Sequence, residues 1–181
     1  HSTSRRQRQM CIRDRFLTLY YTGMRIGELQ ALTLADLDLE NGIIHINKTY
    51  AIISGQEIIT TPKTTKSVRE IYIPAFLCKL LKKHIKRYYK PQPDTRVFQM
   101  AKETYRNRLV NHSEKAGVKR IRLHDIRHSH ASLLIDLNFS VLMISERLGH
   151  EDPSITLKTY AHLFPTKQNE LVERLDEIFN K

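Results

Sequence analysis

The sequence predicts an α+β domain that is mainly helical and carries a small antiparallel β-sheet. Four short segments rich in β-branched residues lie close together in the first half of the chain, at 43–46, 50–53, 56–60 and 68–73. Segments with the helical spacing of apolar residues precede and follow them. The 181 residues contain no internal repeat and fit one well-buried domain rather than two.

Local signals define the elements of the first half. Residues 16–22 are predicted to end a buried helix, Gly23 provides a turn, and a short helix follows over about 25–32. The strands are interrupted by a Ser-Gly pair at 54–55 and by a turn rich in Thr and Lys at 61–67. This order predicts antiparallel strands joined by short turns.

The second half of the chain is predicted to be helical. A helix over 75–89 stops at the Pro-Gln-Pro triplet of residues 91–93, and Gly149 is placed to cap the helix that ends at Leu148. The predicted helices after this triplet cover residues 102–116, 123–138, 141–148, 154–163 and 169–179. The last of them is amphipathic, with one apolar stripe formed by Leu171, Val172, Leu175, Ile178 and Phe179.

Residues 1–15 are polar and basic and show no apolar periodicity. They predict a disordered arm or a non-native junction, and the folded domain is expected to cover 16–181. A basic arm that contacts DNA is the alternative. The net charge of the chain is +11; residues 1–15 contribute +4, which leaves +7 for the predicted domain. A basic domain favours a polyanionic partner such as nucleic acid, although a basic surface can also serve solubility alone.

The composition excludes several classes of protein. No apolar run approaches the roughly 20 residues that cross a bilayer, and the first residues contain no apolar segment of a secretory signal. The two cysteines, Cys11 and Cys78, are too few for a disulfide framework or a zinc site. This usage fits a reducing cytoplasm.

Six side chains combine into an inventory suited to chemistry on a phosphodiester. Guanidiniums grip phosphate oxygens in pairs, a phenol can attack phosphorus, and Lys and His side chains can move protons. The six are Arg25, Lys63, His124, Arg127, His150 and Tyr160.

Each of these residues also has an ordinary structural explanation. Arg25 falls on the apolar stripe of its short helix, where a buried guanidinium needs a carboxylate such as that of Glu28 or an anion in a cavity. Tyr160 could be a core tyrosine, and Lys63 could be a solvated residue of a mobile turn. His124 and Arg127 could be a helix cap and a surface charge, and His150 could be a surface histidine.

A metal site is a further alternative. His124 and His128 are spaced i, i+4 on a predicted helix, a spacing that can chelate zinc, with His130 close by. The sequence offers no HExxH motif, no paired cysteines and no clear third ligand, so we predict neither a metal nor another cofactor.

The order and context of the six residues are specific. TGMRIGELQAL surrounds Arg25, PKTTKSVREIYIP contains Lys63, HDIRHSHAS holds His124 and Arg127, LGHEDPSIT holds His150, and TYAHL holds Tyr160. Together these five motifs resemble the catalytic domain of the tyrosine recombinase (phage integrase) family over residues 16–179. The resemblance implies the fold of that family of DNA breaking-rejoining enzymes, with the lysine on a β-hairpin; Lys66 is the weaker candidate for this lysine.

The resemblance also implies a mechanism and partners. Tyr160 would attack the scissile phosphate to give a 3′-phosphotyrosine, Arg25 and Arg127 would hold the non-bridging oxygens, and His150 would add a hydrogen bond. Lys63 would protonate the leaving 5′-oxygen, and His124 would assist proton transfer with Tyr160. The helix at 169–179 would dock on a neighbouring protomer to give a tetramer on double-stranded DNA; packing on its own domain is the alternative.

The resemblance leaves the DNA target and the exact function open. Basic residues on and near helix 102–116 are expected to face the duplex, with Lys66 beside them; they are Lys102, Arg106, Arg108, Lys119, Arg120 and Arg122. The N-terminal core-binding domain of the family is expected to be absent from this chain. Two alternatives to a bacterial or phage recombinase remain, which are a type IB topoisomerase-like relaxing enzyme and a non-catalytic DNA-binding module.

Overall fold

The computed structural model describes residues 2–62, 64–99, 101–164 and 168–179, and the side chains of these residues except 2–11, 168–171 and 174. Within these ranges the chain forms eight α-helices, which are α1 (Ser2–Thr22), α2 (Ile26–Ala31), α3 (Ala75–Ile85), α4 (Lys102–Lys115), α5 (Leu123–Asp136), α6 (Val141–Leu148), α7 (Pro153–Tyr160) and α8 (Gln168–Phe179). No described helix is both long enough and apolar enough to cross a bilayer. The prediction of a mainly helical α+β domain is confirmed.

Five short strands form two separate antiparallel sheets in the described ranges. The strands are β1 (Leu37–Asp38), β2 (Ile43–Ile46), β3 (Thr49–Ile53), β4 (Gln56–Thr60) and β5 (Arg69–Tyr72). One sheet has the order β1-β2-β5, while β3 and β4 pair only with each other. Ile44 lies opposite Ile71 in the three-stranded sheet, and both are fully buried. Alternation along β2 and β5 therefore presents one apolar face of this sheet to the core.

The predicted lysine hairpin is wrong in its pairing. β4 pairs with β3, and β5 pairs with β2, so the connection at 61–68 joins two different sheets and not two neighbouring strands. A 3-10 turn at Thr65–Ser67 lies within this connection, and the hydroxyl groups of Thr64 and Ser67 are 2.9 Å apart. Local β propensity identified the strands, but it carries no information about which strand pairs with which.

The predicted disordered arm is also wrong, because α1 begins at Ser2 and runs without a break to Thr22. Ile12 and Asp14 are buried, and one carboxylate oxygen of Asp14 lies 2.9 Å from Nδ1 of His84 on α3. Arg87 donates a hydrogen bond to the same oxygen at 3.1 Å. The folded region therefore starts before residue 16, and it depends on a tertiary ion pair that apolar periodicity does not reveal.

The remaining boundaries differ little from those predicted. Helix α3 ends at Ile85 rather than at 89, and α5 ends at Asp136 rather than at 138. Helix α7 ends at Tyr160, and the residues Ala161–Leu163 continue as a 3-10 turn. Deviations of this size are normal at helix ends, where the last turn often tightens.

Two clusters of buried apolar side chains form the interior. The larger one joins α1, α2, α3 and the three-stranded sheet, with Leu29, Ile44, Ile71, Leu77 and Leu81 among its fully buried members. The smaller one joins α5, α6 and α7 and consists of Ala131, Ile135, Ile144, Leu148 and Tyr160. The predicted nucleophile therefore belongs to the smaller cluster.

Arg147 connects these two parts of the fold. Its guanidinium donates to Nε2 of His130 at 3.0 Å, to the carbonyl of Tyr72 at 3.0 Å and to the carbonyl of Tyr21 at 2.9 Å. One residue of α6 thus fastens α5, the end of β5 and the end of α1. Gly23 packs closely against His130 in this region. Its φ is +66°, and a Cβ there would lie 2.4 Å from Cδ2 of His130, so this position requires glycine.

Acid should weaken the fold through His130. Burial and then the charge of Arg147 lower the pKa of His130 to about 4 from the ordinary 6.5. His130 becomes protonated near pH 6.5 in the unfolded chain but only near pH 4 in the folded chain. The free energy of unfolding therefore falls as the pH drops from about 6.5 to 4. We expect this one residue to account for roughly 2 kcal/mol of the stability lost between pH 7.5 and pH 5.

The measurement is urea denaturation of wild type and His130→Gln at both pH values. The amide oxygen of Gln can still accept from Arg147 but does not titrate, so the variant should lose less stability on acidification. His112→Gln, at a partly exposed position of α4, controls for the exchange itself. Equal losses in wild type and His130→Gln would contradict the prediction.

Candidate active site

Five of the six candidate residues meet around the turn that follows α6. The guanidinium of Arg127 donates to the carbonyl of Leu148 at 2.7 Å, and that of Arg25 approaches the carbonyl of Gly149 at 3.5 Å. His150 is the residue after Gly149. The charge of Arg127 acts to lower the pKa of the Tyr160 phenol, although burial raises that pKa by more. His124 lies one turn before Arg127 on α5. Lys63 lies outside the described residues.

Arg127 is buried and is oriented by backbone alone in the contacts described. Its side chain donates to the carbonyl of Gly23 at 2.7 Å and to that of Leu148 at 2.7 Å. Burial, followed by the charges of Arg25 and Arg69, lowers its pKa to about 9, so Arg127 remains charged at neutral pH. A carbonyl orients a guanidinium without cancelling its charge. The alternative interpretation of Arg127 as a surface charge does not hold, because the residue is only 4% exposed.

Arg25 is more exposed than the helical stripe predicted, with 41% of its side chain accessible. The residue is the N-cap of α2 and not part of its first turn. Glu28 accepts from its backbone N–H at 2.8 Å and from its guanidinium at 3.0 Å. The alternative interpretation of Arg25, an ion pair with Glu28, is thus present in the structure, and this pair aims the guanidinium at the turn after α6.

Arg69 is a residue of the site that the sequence analysis missed. Its side chain is 6% exposed and donates to both oxygens of Glu28, at 3.1 and 2.9 Å. Its Nε donates to the carbonyl of Arg147 at 2.8 Å. Alternation could have revealed it, because Arg69 and Ile71 are two residues apart on β5 and therefore share a face. A guanidinium on an apolar strand face requires a buried partner.

Glu28 is the carboxylate that Arg25 and Arg69 share, and it is only 3% exposed. Burial acts to raise its pKa, but the hydrogen bonds and charges of Arg69 and Arg25 outweigh this effect and hold the pKa below 4.5. Glu28 is therefore ionised at neutral pH. Around it are three guanidiniums, those of Arg25, Arg69 and Arg127, so the cluster keeps an excess of positive charge.

Gly149 caps α6 as predicted, with φ +68° in the left-handed region. A Cβ at this position would lie 2.9 Å from Nη1 of Arg69 and 3.1 Å from its Cζ. Glycine is needed here both for its backbone conformation and for the close approach of Arg69.

His150 is half-buried and fixed by Thr156, whose hydroxyl oxygen lies 2.7 Å from Nδ1. Burial, followed by the charges of Arg127, Arg25 and Arg69, lowers its pKa to about 4. The ring is therefore neutral at pH 7. When the Thr156 hydroxyl donates to Nδ1, the ring keeps its proton on Nε2 and can donate it to an anion.

Tyr160 is 4% exposed and packs in the smaller core, with Phe164 against it. The ring of Tyr160 therefore packs as that of a core tyrosine would. Leu157, three residues earlier on α7, does not belong to this core and is half exposed. Its hydroxyl lies 2.6 Å from Nδ1 of His128. Burial raises the pKa of Tyr160 above 10, and the charge of Arg127 lowers it by less. The neighbouring cation thus favours ionisation of the phenol, but burial has the larger effect on its pKa.

His128 and not His124 makes the described hydrogen bond with the phenol. The rings of His124 and His128 meet edge to face with 4.7 Å between their centroids. Burial, then the charges of His128, Arg127 and Arg25, lower the pKa of His124. Among the described residues, no three His, Cys, Asp or Glu side chains converge as a metal site would require.

The basic residues expected to face a duplex are exposed. Lys66 lies on the Thr65–Ser67 turn and, with His150 and Arg69, lines a cavity of about 430 Å³. Arg106 pairs with Glu103, and Arg122 pairs with Asp125. The other members of this set carry no described ion pair and are Lys102, Arg108, Lys119 and Arg120. Arg122 is the N-cap of α5, so the basic segment leads directly into the turn that holds His124.

Replacing Gly149 should reveal how closely Arg69 is held. Gly149→Ala should destabilise the fold in two ways. Alanine in the left-handed backbone conformation costs about 1 kcal/mol, and the clash of its Cβ with Arg69 should cost about 1–3 kcal/mol more. Gly117→Ala is the matched control, because Gly117 has φ +63° but nothing within 4 Å of the new Cβ. Urea denaturation of both variants measures the difference, and equal destabilisation would show that Arg69 is free to move away.

Comparison with known proteins agrees with the geometry. The model of the phage integrase family matches residues 2–167. The chain is 32% identical over 185 residues to the ICEBs1 integrase of Bacillus subtilis, covering 95% of this chain and 50% of that protein. It is 34% identical over 174 residues to the integrase of Staphylococcus phage L54a, covering 87% of this chain and 49% of that protein. The chain thus spans about half the length of these relatives.

Solved structures share the fold. The Tn1549 transposon integrase in complex with circular intermediate DNA superimposes with a TM-score of 0.76 at 22% identity, covering 91% of this chain and 59% of that one. The catalytic domain of bacteriophage HP1 integrase gives a TM-score of 0.61 at 20% identity, covering 97% of this chain and 94% of that one. The family model, the relatives and the fold agree, and the chain belongs to the phage integrase family, with the fold of a tyrosine recombinase catalytic domain.

Proposed function

We propose that this chain is the catalytic domain of a site-specific DNA recombinase that cleaves and rejoins DNA through a 3′-phosphotyrosine at Tyr160. The reaction serves integration or excision of a phage or conjugative element in a bacterial cytoplasm, at the nucleoid. One observation carries the proposal: two guanidiniums share a single buried carboxylate, and a third, that of Arg127, is held by carbonyls alone near a tyrosine that has almost no solvent access. A phosphodiester supplies the missing negative charge and an electrophile for the phenol.

The phosphate is held by Arg25, Arg127 and His150. Each guanidinium has five N–H donors, and the described contacts use only some of them. The carbonyls of Gly23 and Leu148 fix Arg127, so its charge is oriented before the substrate arrives. Such preorganised donors stabilise the charge that builds on the non-bridging oxygens, and losing one typically costs 10²–10³-fold in rate.

The chemistry is a transesterification. Oη of Tyr160 forms a bond to phosphorus as the bond from phosphorus to the 5′-oxygen breaks, and the phenolic proton is lost while the 5′-oxygen gains one. Lys63 donates that proton, and Lys66 is the second candidate because it borders the cavity next to His150. The phosphotyrosine bond conserves the phosphodiester energy. Attack by a 5′-hydroxyl from another strand then reseals the DNA.

Double-stranded DNA binds across the basic surface of α4 and of the connection into α5. Its exposed lysines and arginines contact phosphates, which positions the duplex without reading its sequence. Two similar structures, of the Tn1549 integrase and of XerH, are complexes with DNA. Salt should therefore weaken binding steeply.

The Tyr160→Phe variant tests the central step. Wild type and variant are incubated with a pool of nicked suicide duplexes and resolved under denaturing conditions. Wild type should give a slow-migrating, protease-sensitive adduct, and the variant should give none because the attacking oxygen is gone. Tyr89→Phe, at a highly exposed tyrosine on the segment after α3, is the control and should leave the adduct unchanged.

The products separate this function from its alternatives. Relaxation of supercoiled DNA without recombinant products would indicate topoisomerase-like chemistry. Salt-sensitive DNA binding with no adduct from wild type would indicate a module that binds without cleaving.

We further propose that α8 docks on a neighbouring protomer to build a tetramer on DNA. The described apolar side chains of its stripe, Val172, Leu175, Ile178 and Phe179, are between 55% and 91% exposed. Leu171 lies outside the described side chains. An apolar stripe that its own domain leaves uncovered is suited to a partner.

Removing residues 168–181 should therefore reduce recombination far more than cleavage. The truncated chain keeps every candidate catalytic side chain, so adduct formation should stay within a few-fold of wild type while strand exchange falls at least tenfold. Both are measured on the same duplexes. An equal loss of cleavage and exchange would contradict docking between protomers.

A further inference from the structure

The phenolic proton of Tyr160 has one described acceptor. Nδ1 of His128 lies 2.6 Å from Oη, and the two rings meet at 61° with 5.6 Å between their centroids. The phenol is 4% exposed, so bulk water has little access to it. When Oη bonds to phosphorus its proton has to leave, and the atom already in hydrogen-bond contact is the group placed to receive it.

His124, to which the family resemblance gave this role, is less well placed. The ring of His124 contacts that of His128 edge to face, with 4.7 Å between their centroids. Among the described hydrogen bonds, the phenol pairs with His128 and not with His124. Burial, then the charges of His128, Arg127 and Arg25, lower the pKa of His124, so a positive charge on His124 is disfavoured. His124 is better suited to remain neutral and to donate to the phosphate.

A carboxylate on the same helix interacts with His128. Asp125 lies three residues earlier on α5, and its pKa is lowered chiefly by Arg122 and to a smaller extent by the charge of His128. This carboxylate would attract an imidazolium formed at His128. The Ser132 hydroxyl donates to the carbonyl of His128 at 3.0 Å within the helix.

We infer that His128 is the general base of the cleavage step, which rests on the proposed role of Tyr160 as nucleophile. The O–H bond of Tyr160 breaks and an N–H bond forms at Nδ1 of His128, while the bond from Oη to phosphorus forms. The bond from phosphorus to the 5′-oxygen breaks, and that oxygen takes its proton from a separate acid. In the rejoining step His128 returns the proton to the departing phenolate. Before cleavage, the ring must carry its proton on Nε2.

His128→Asn separates a base from a mere anchor. The amide oxygen of Asn can occupy the position of Nδ1 and accept the phenolic hydrogen bond, but it cannot take the proton. We expect single-turnover adduct formation on nicked suicide duplexes to fall by about 10²–10³-fold, with unchanged DNA affinity. His124→Asn should lose less than His128→Asn. His162→Asn, an exposed histidine two residues after Tyr160, controls for local disturbance.

A rate within a few-fold of wild type for His128→Asn would overturn the inference and leave His128 an anchor. A larger loss in His124→Asn than in His128→Asn would transfer the role to His124. An adduct that forms in wild type and is absent in Tyr160→Phe supports the proposed function whatever the histidine variants do.

Nitrogen NMR of the histidine-labelled 181-residue chain tests the same inference without activity. An unprotonated Nδ1 of His128, whose nitrogen resonance shifts in Tyr160→Phe, would support the inference that His128 is the general base. A proton on Nδ1 overturns it, because the ring would then donate to the phenol. If wild type forms no adduct, the proposed function fails on its own, and the NMR result still decides whether His128 can accept.

Discussion

The buried carboxylate of Glu28 is the contact on which the rest of the site depends. Two guanidiniums from distant parts of the chain, Arg25 and Arg69, share its oxygens, and both reach from there to the turn after α6. A single negative charge thereby joins the start of α2, the start of β5 and the end of α6. Removing one member of such a buried network leaves the others uncompensated, which is usually worth several kcal/mol.

The same arrangement leaves positive charge in excess, because three guanidiniums surround only one carboxylate. Burial, followed by the charges of neighbouring guanidiniums, lowers the pKa values of Arg127 and His150. Arg127 donates its described hydrogen bonds to backbone carbonyls, which do not neutralise its charge. A dianionic or monoanionic oxygen group placed between these cations would relieve the repulsion. In the proposed reaction, the negatively charged substrate would balance this excess of positive charge.

Sequence reasoning located much of the fold and most of the candidate side chains. The β-branched segments and the helical periodicity identified the strands and helices, because those patterns reflect local burial. Strand pairing was predicted wrongly at the lysine turn, since pairing depends on tertiary packing. The start of the fold was missed because Asp14 is paired with His84, seventy residues away.

The side chains that the prediction missed share one property. Arg69 and Arg147 act through contacts with residues that are far away in the sequence; strand alternation signals that Arg69 is buried, but no local pattern identifies the partners of either residue. His128 was considered only as a possible metal ligand, because spacing alone relates it to His124 and not to a tyrosine 32 residues later. Motif order identified the family, whereas the pairings of side chains required coordinates.

The cations proposed to bind the phosphate and the tyrosine proposed to attack it rest on different cores. Arg25 and Arg69 extend from elements of the larger core, whereas Tyr160 belongs to the small cluster of α5, α6 and α7. Arg127 and Arg147 lie where the two parts meet, and their guanidiniums bond to backbone carbonyls of both. A small core has fewer buried contacts to lose, so α7 can shift at lower cost than the cations can. In the proposed reaction, the phenol would therefore approach or leave the phosphate while the groups that hold the phosphate stay in place.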